Sequence, residues 1–305
     1  MCYSAKVYAE VRDLERKLGL RIDPDWYAEV FWIQRGRHPF RRKKMPRSLE
    51  REALELAPPN IQAAVREADQ AEIDQLTQEI FMQRSRVVAA ERSLQKKDTK
   101  KAREDIRIGT DKVERAQRRL DELKAPSGGE GRIYPGYFAP VVVLENGRYV
   151  ARPMRYQCRL PGWTAKVERS YPGTYNARRD KLETAWRQVF GHNHGVLLAS
   201  AFYEHVDRDG RDQVLEFKPS DGRDMIVACL WTLTQDEDGE PMYTFAAVTD
   251  DPPAEVAEAG HDRCVVPIKA EHLDAWLTPK AHTADELQGI LEGRERPYYA
   301  WREAA

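Results

Sequence analysis

The chain has 305 residues, of which 41% are hydrophobic and 32% charged, with a formal net charge of −1. That length supports one large core or two small ones, and a charge so near zero excludes a global field that pulls the protein onto nucleic acid, so local patches must carry any such binding. No run is long and apolar enough to span a membrane and no secretory leader is visible, so the expected location is cytoplasmic, nucleoid-associated in a bacterium.

The chain begins MCYSAKV. Trimming of Met1 would leave Cys2 with a free α-amine beside its thiol. An α-amine titrates near 8, far below lysine, so roughly a quarter of such amines are neutral at pH 7.4. A neutral amine attacks an aldehyde to give an imine, and the neighbouring thiol then closes a five-membered thiazolidine. On position alone, an ordinary second residue is the commoner reading. The other cysteines, Cys158, Cys229 and Cys264, complete no CxxC and no zinc-ligand spacing, which fits a reducing compartment. Cys229, within IVACLW, reads as a core residue.

A helix is expected over Tyr8–Leu18, followed by the aromatic stretch DPDWYAEVFW. Next comes RGRHPFRRKKMPR, residues 35–47, with seven cations and no acid. Most charge runs are solvated loops. If all seven met phosphates, the salt slope on single-stranded DNA would be about −5. Within it, Arg41, Arg42, Lys43 and Lys44 are the candidate DNA contacts.

Residues 60–124 are helical in pattern. Ile73, Leu76, Ile80, Gln83, Val87, Ala90 and Leu94 step by three and four. After KKDTKK so do Ala102, Ile106, Gly109, Val113, Ala116, Leu120 and Leu123. Two such stripes joined by a short polar turn predict an antiparallel coiled-coil hairpin. It reads as a spacer or rigid arm, with a protein or DNA contact open to it. The domain reading is a core formed by residues 1–59 and 125–305, with the hairpin inserted. APSGGEG marks the break after it.

From residue 135 to 280, short apolar strands alternate with turns. PVVVL and RYVARPM flank Asn146-Gly147, a strong hairpin signal. GVLLASAFYEHV, VLEF, DMIVACLWTL, MYTFAAVT and RCVVPI follow, with Asp-Gly turns at 209–210, 221–222 and 238–239. The predicted fold is α+β: short, mostly antiparallel strands in a barrel-like or sandwich-like core with flanking helices. The end reads as a short charged helix and a tail. His192 and His194 suggest a metal, but two histidines without a third ligand do not make a site, so neither metal nor cofactor is expected.

Three stretches could surround an N-terminal cysteine: LPGW with TYNARRD (Trp163, Asn176, Arg178), AFYEH (Glu204) and HDRCVVP (His261). With the cysteine after Met1, these stand in the order found in the SOS-response-associated peptidase (SRAP) family, the abasic-site processing proteins, which the sequence resembles over residues 1–5 and roughly 133–280. The family usually reads His-Asp-Arg-Met-Pro where this chain has HDRCVVP, and Cys-Gly-Arg where it has Cys2-Tyr3-Ser4. Gln157-Cys158 replaces a tryptophan-glycine, and the family's C-terminal Val-Asn-Asn is not visible.

The resemblance implies capture of the ring-opened abasic-site aldehyde, in single-stranded or junction DNA, as a thiazolidine crosslink to Cys2. It also implies AP-lyase chemistry as a side reaction and autocatalytic removal of Met1. Glu204 would shuttle protons, and burial would raise its pKa and suit it to donating one. His261 would protonate the sugar, and Asn176 would orient sugar or amine. Arg178 would pair with a phosphate, with Arg155 as a further DNA contact, and Trp163 would stack or wedge. Two other readings stay open: a catalytically lapsed DNA-binding adaptor, and an N-terminal-nucleophile amidohydrolase or peptidase.

Overall fold

A computed structural model of the chain describes residues 4–7, 44–47, 50–51, 59–124, 131–208, 210–237 and 239–304. Cys2, the helix expected over Tyr8–Leu18, and Arg41, Arg42 and Lys43 lie outside the described residues; Lys44 is inside and exposed.

The core is a closed barrel of five strands with outer strands and helices. β3 (Phe138–Glu145) and β4 (Arg148–Tyr156) form the expected hairpin. Their turn holds Asn146 at φ 50° and Gly147 at φ 73°, the paired left-handed backbone that an Asn-Gly turn supplies. β4 pairs in parallel with β9 (Pro241–Asp250), β9 with β8 (Met225–Gln235), β8 with β6 (His194–Arg208), and β6 with β3, which closes the ring. Closure removes the exposed strand edges that an open sheet would leave. Gly195 is required where β6 meets β3, because a Cβ there would lie 2.7 Å from Val141 Cγ1.

Alternation along each strand divides the apolar side chains in two. One cluster draws on all five barrel strands, with Val141, Met154, Leu197, Val227 and Phe245 among its members, and fills the interior. The other contains Val142, Leu198, Ala228 and Val248 on the outer face, covered by Trp186 from a run of turns and by Trp276 and Leu287 from surrounding helical segments. Those segments include α5 (Leu273–Leu277) and α6 (Ala284–Glu292). α6 starts with a reciprocal capping box between Thr283 and Glu286, which satisfies orphan backbone donors at its first turn.

β6, with 15 residues, is the spine of the site. Its first half belongs to the barrel; its second half pairs with β7 (Arg211–Pro219) and with β1 (Ser4–Val7). Between the halves, Lys6 pairs with Ala201 and Val7 with Ala199, leaving Ser200 as an extra residue. Such a bulge switches the strand's side-chain parity. Leu197 and Ala199 point into the interior cluster before it, Phe202 and Val206 after it.

The expected C-terminal tail is a strand. β11 (Tyr299–Glu303) pairs with β7 over five residues, and Tyr299 packs edge-on against Phe202. The edge of β7 supplies the backbone partners that so short and charged a segment could not reveal alone.

α1 (Pro59–Lys96) and α2 (Lys100–Lys124) lie against each other in antiparallel sense. Ile80, Ala116 and Leu120 form their apolar seam, with Ile73, Leu76 and Val113 at its margins. Arg119–Glu72 and Lys112–Glu79 pairs cross between the helices. Arg47 pairs with both Glu50 and Asp69, tying the base of α1 to the preceding segment.

Candidate active site

Glu204 sits on β6 beyond the bulge, completely buried, and His261 is 7% exposed in the loop before β10 (Cys264–Val265). His261 Nε2 is 3.1 Å from Glu204 Oε2. On the other side of the ring, Nδ1 lies 3.0 Å from the carbonyl oxygen of Arg263. Burial holds the histidine below its ordinary pKa. The Arg263 N–H also faces Nδ1, at 3.3 Å; in the tautomer whose Nδ1–H donates to the Arg263 carbonyl, a neutral ring turns a bare Nε2 toward the carboxyl group. The distance puts the ring nitrogen and the carboxyl oxygen within reach of a single proton. Moving that proton from one atom to the other interconverts a neutral pair and an ion pair without changing its total charge. The arrangement is one that can pass a proton within the protein interior.

β1 brings the start of the chain to this relay. Its register sets Ser4 opposite Tyr203, the neighbour of Glu204. Arg132 Nε donates to Ser4 Oγ at 2.9 Å, and its guanidinium lies 3.8 Å above the Tyr203 ring. The Tyr203 hydroxyl donates to Glu216 at 2.8 Å, and Glu216 is paired with Arg302 of β11. Nothing in the sequence marked Arg132 for this role.

Asn176 begins β5 (Asn176–Arg178), which runs parallel to β9 with Asn176 opposite Ala247. Its amide is buried, and neither Oδ1 nor Nδ2 has a hydrogen-bond partner among the described residues. A buried amide left unpaired costs about 1–3 kcal/mol. Asn176 also lines a cleft of about 760 Å³ with Trp163, Tyr171, Arg178, Lys181 and Arg187.

The cleft owes its shape to local chemistry. Leu160-Pro161-Gly162-Trp163 closes a turn with Gly162 at φ 79° and a Trp163 N–H to Leu160 carbonyl bond of 3.0 Å. Proline followed by a left-handed glycine is the type II pattern. The turn places Trp163 against Tyr171, ring centroids 5.0 Å apart. Both rings are outside the two core clusters. Arg178 is partly exposed and held by Asp180 two residues on. Tyr171, Lys181 and Arg187 were missed in the sequence; the Tyr-Pro-Gly at 171–173 was the available signal.

Arg155 is placed differently. With Arg159 it clamps the buried Glu168 of α3 (Ala165–Ser170). Burial lowers its guanidinium pKa, and its charge is committed to Glu168 inside the protein. Removing one member of such a cluster leaves an uncompensated buried charge.

Cys158, Cys229 and Cys264 are buried and reduced. Burial pushes the Cys158 thiol up to about 11 and the other two higher still, so none of them offers a thiolate near neutral pH. His194 is an internal strut. Its Nε2 accepts from the Gly191 N–H at 2.9 Å, its Nδ1 faces the Trp276 carbonyl at 3.1 Å, and burial drives its pKa down to about 3. Among the described residues, no group of three or more His, Cys, Asp or Glu side chains is arranged to hold a metal, and no helix is long and apolar enough to cross a membrane.

Residues 90–304 match the family model described as SOS response associated peptidase (SRAP). The Bacillus subtilis proteins named abasic site processing protein YoqW and YobE are similar. YoqW is 29% identical over 136 residues, 44% of this chain and 60% of its own length. YobE is 28% identical over 169 residues, 53% of this chain and 77% of its own. The match thus spans about three fifths of YoqW. A crystal structure of a protein from Bordetella bronchiseptica is similar at a TM-score of 0.49 and 20% identity, covering 62% of this chain and 95% of that one.

Proposed function

The chain belongs to the SOS response associated peptidase family, and from that premise we propose that it processes abasic sites in DNA, capturing the ring-opened sugar through Cys2 as a thiazolidine. The observation that carries this reading is the register of β1: Ser4 stands beside the Glu204–His261 relay. Cys2 precedes Ser4 by two residues, a span of at most ~7 Å, which supports a role for its amine and thiol beside that pair.

After Met1 is removed, the neutral α-amine of Cys2 adds to the aldehyde carbon. The carbinolamine loses its hydroxyl as water, for which a proton must be delivered. The Glu204–His261 pair is the local source: Glu204 gives the shared proton to the departing hydroxyl, and the proton then lost from the iminium nitrogen returns to the pair. The thiol then adds to the imine carbon, its proton ending on nitrogen. Aldehyde and aminothiol thus give thiazolidine and one water. Before ring closure, the same imine acidifies the neighbouring carbon and permits β-elimination at the 3′ phosphate, the AP-lyase branch.

The cleft suits single-stranded or junction DNA. Trp163 and Tyr171 offer faces for bases, a contact worth about 1–3 kcal/mol per base. Arg178, Lys181 and Arg187 offer charge to phosphates, and Asn176 has an unspent amide to turn toward the sugar. The basic stretch with Arg41, Arg42, Lys43 and Lys44 would grip flanking DNA, with hairpin 60–124 an inserted arm. Neutralising those four cations is expected to flatten the salt slope by about 3, measured by binding titrations at several salt concentrations.

The decisive test uses Met1-processed protein and single-stranded DNA with one abasic site, beside Cys2→Ala and Cys2→Ser. An adduct that survives denaturation without reductant and disappears in both variants supports the reading. Binding without an adduct would point to a lapsed DNA-binding adaptor.

A further inference from the structure

α1 has a second apolar face. Its packed residues, Ile73, Leu76 and Ile80, meet α2. On the opposite side, Phe81 is 74% exposed, Met82 55% and Val88 43%. At about 100° per residue, Asp74, Gln78, Phe81, Met82, Ser85, Val88, Ala89, Arg92 and Lys96 fall within about 60° of Ser85 on the helical circle. All of them are exposed. The stripe is apolar at its middle and charged at both ends.

The charges have opposite signs. From Pro59 to Ile80 the helix carries five acids against one base, and from Phe81 to Lys96 four bases against one acid. Of those acids, Asp69, Glu72 and Glu79 are paired with Arg47, Arg119 and Lys112, so the stripe's own charges set its polarity, Asp74 toward the base and Arg92 and Lys96 toward the tip. A stripe of this kind is complementary to itself turned end for end. Centred on Ser85, an antiparallel copy sets Met82 against Val88, Phe81 against the small Ala89, and Asp74 against Lys96, each pair occurring twice. Large meets small and acid meets base in one register.

We propose that this face of α1 docks on the same face of a second copy of the chain, forming an antiparallel two-fold pair of hairpins. Isologous contacts of this sort close at two subunits. The apolar centre supplies attraction and the charged ends fix direction: a parallel pairing would set acid on acid and base on base. The inference stands whether or not the chemistry assigned to Cys2 is correct.

Sedimentation of the full chain over a wide concentration range tests it. The expected result is a reversible dimer that Phe81→Glu abolishes. Phe81 is so exposed that this substitution leaves the fold intact, which circular dichroism verifies. Asp74→Lys and Lys96→Asp each set like charges together twice and should each weaken the homodimer by about tenfold or more. Mixed together, the two variants face each other with opposite charges, and a heterodimer should return to about wild-type affinity. A misfolded variant cannot give that rescue. A chain monomeric at every concentration, a dimer indifferent to Phe81→Glu, or a mixture no tighter than its components would overturn the proposal.

Discussion

Glu204 and His261 are joined by a 3.1 Å contact between two almost wholly buried side chains. Their separation in sequence is large, and the contact depends on which face of β6 Glu204 occupies. Ser200 decides that. Without the extra residue, the parity set by Leu197 and Ala199 would carry Glu204 to the side of Leu198, under the helices and away from His261.

Glu204→Gln keeps the shape of the side chain and removes its capacity to carry the proton. Adduct formation with abasic DNA should slow by about a hundredfold or more, the usual contribution of a positioned acid–base group. A denaturing-gel time course reads it, and His261→Ala should show its defect in the same assay. If both variants crosslink at the wild-type rate, the relay has no part in the chemistry.

Asn176 separates stability from activity. Its amide has no partner to lose among the described residues, so Asn176→Ala should leave the melting temperature unchanged or raise it, while adduct yield falls. A buried group normally kept for structure would do the reverse, and thermal melts beside the gel assay distinguish the two.

Stability should fall on mild acidification. His194 has a folded pKa near 3 against an ordinary 6.5, and that of His261 is also lowered, both chiefly by burial. Between those limits the unfolded chain binds protons that the folded chain refuses, so stability rises with pH; it is lost as pH falls from about 6.5 toward 3. For His194 alone the loss is of order a few kcal/mol. Urea midpoints between pH 7 and pH 4.5 should decline, and His194→Asn should flatten that decline while lowering the whole curve.

In the hairpin, Gly109 contradicts helix propensity for a reason. A Cβ there would come within 2.6 Å of Val87 Cγ2. Gly109→Ala, which would stabilise an exposed helix by about 1 kcal/mol, should here lower the melting temperature of the hairpin, followed by hydrogen exchange of the α1 and α2 amides.

Much of this was legible because it is local. Asn146-Gly147 announced its turn, the steps of three and four announced α1 and α2, and the apolar runs announced β6, β8 and β9. Short motifs in a fixed order pointed to Asn176, Glu204 and His261. What stayed hidden depends on distant partners. β11 is a strand only because β7 offers it an edge. Arg155 looks like any cation until Glu168 is seen beside it. Arg132 acquires its place from Ser4 and Tyr203, and the two hydrogen bonds and flanking rings of His194 come from separate elements. The opposite faces of α1 differ by a few residues in the pattern, so the outward stripe emerged only when the inward one was fixed.

The antiparallel sense of α1 and α2 also has a bearing on descent. The arm leaves the core and returns to it on the same side, where Arg51 reaches the Leu123 carbonyl at 3.5 Å. A segment whose two ends lie together can be shortened turn by turn, or exchanged for a brief loop, without displacing the strands that carry Glu204 or the loop that carries His261. Its length is therefore expected to vary between relatives more than the placement of Glu204 and His261 does.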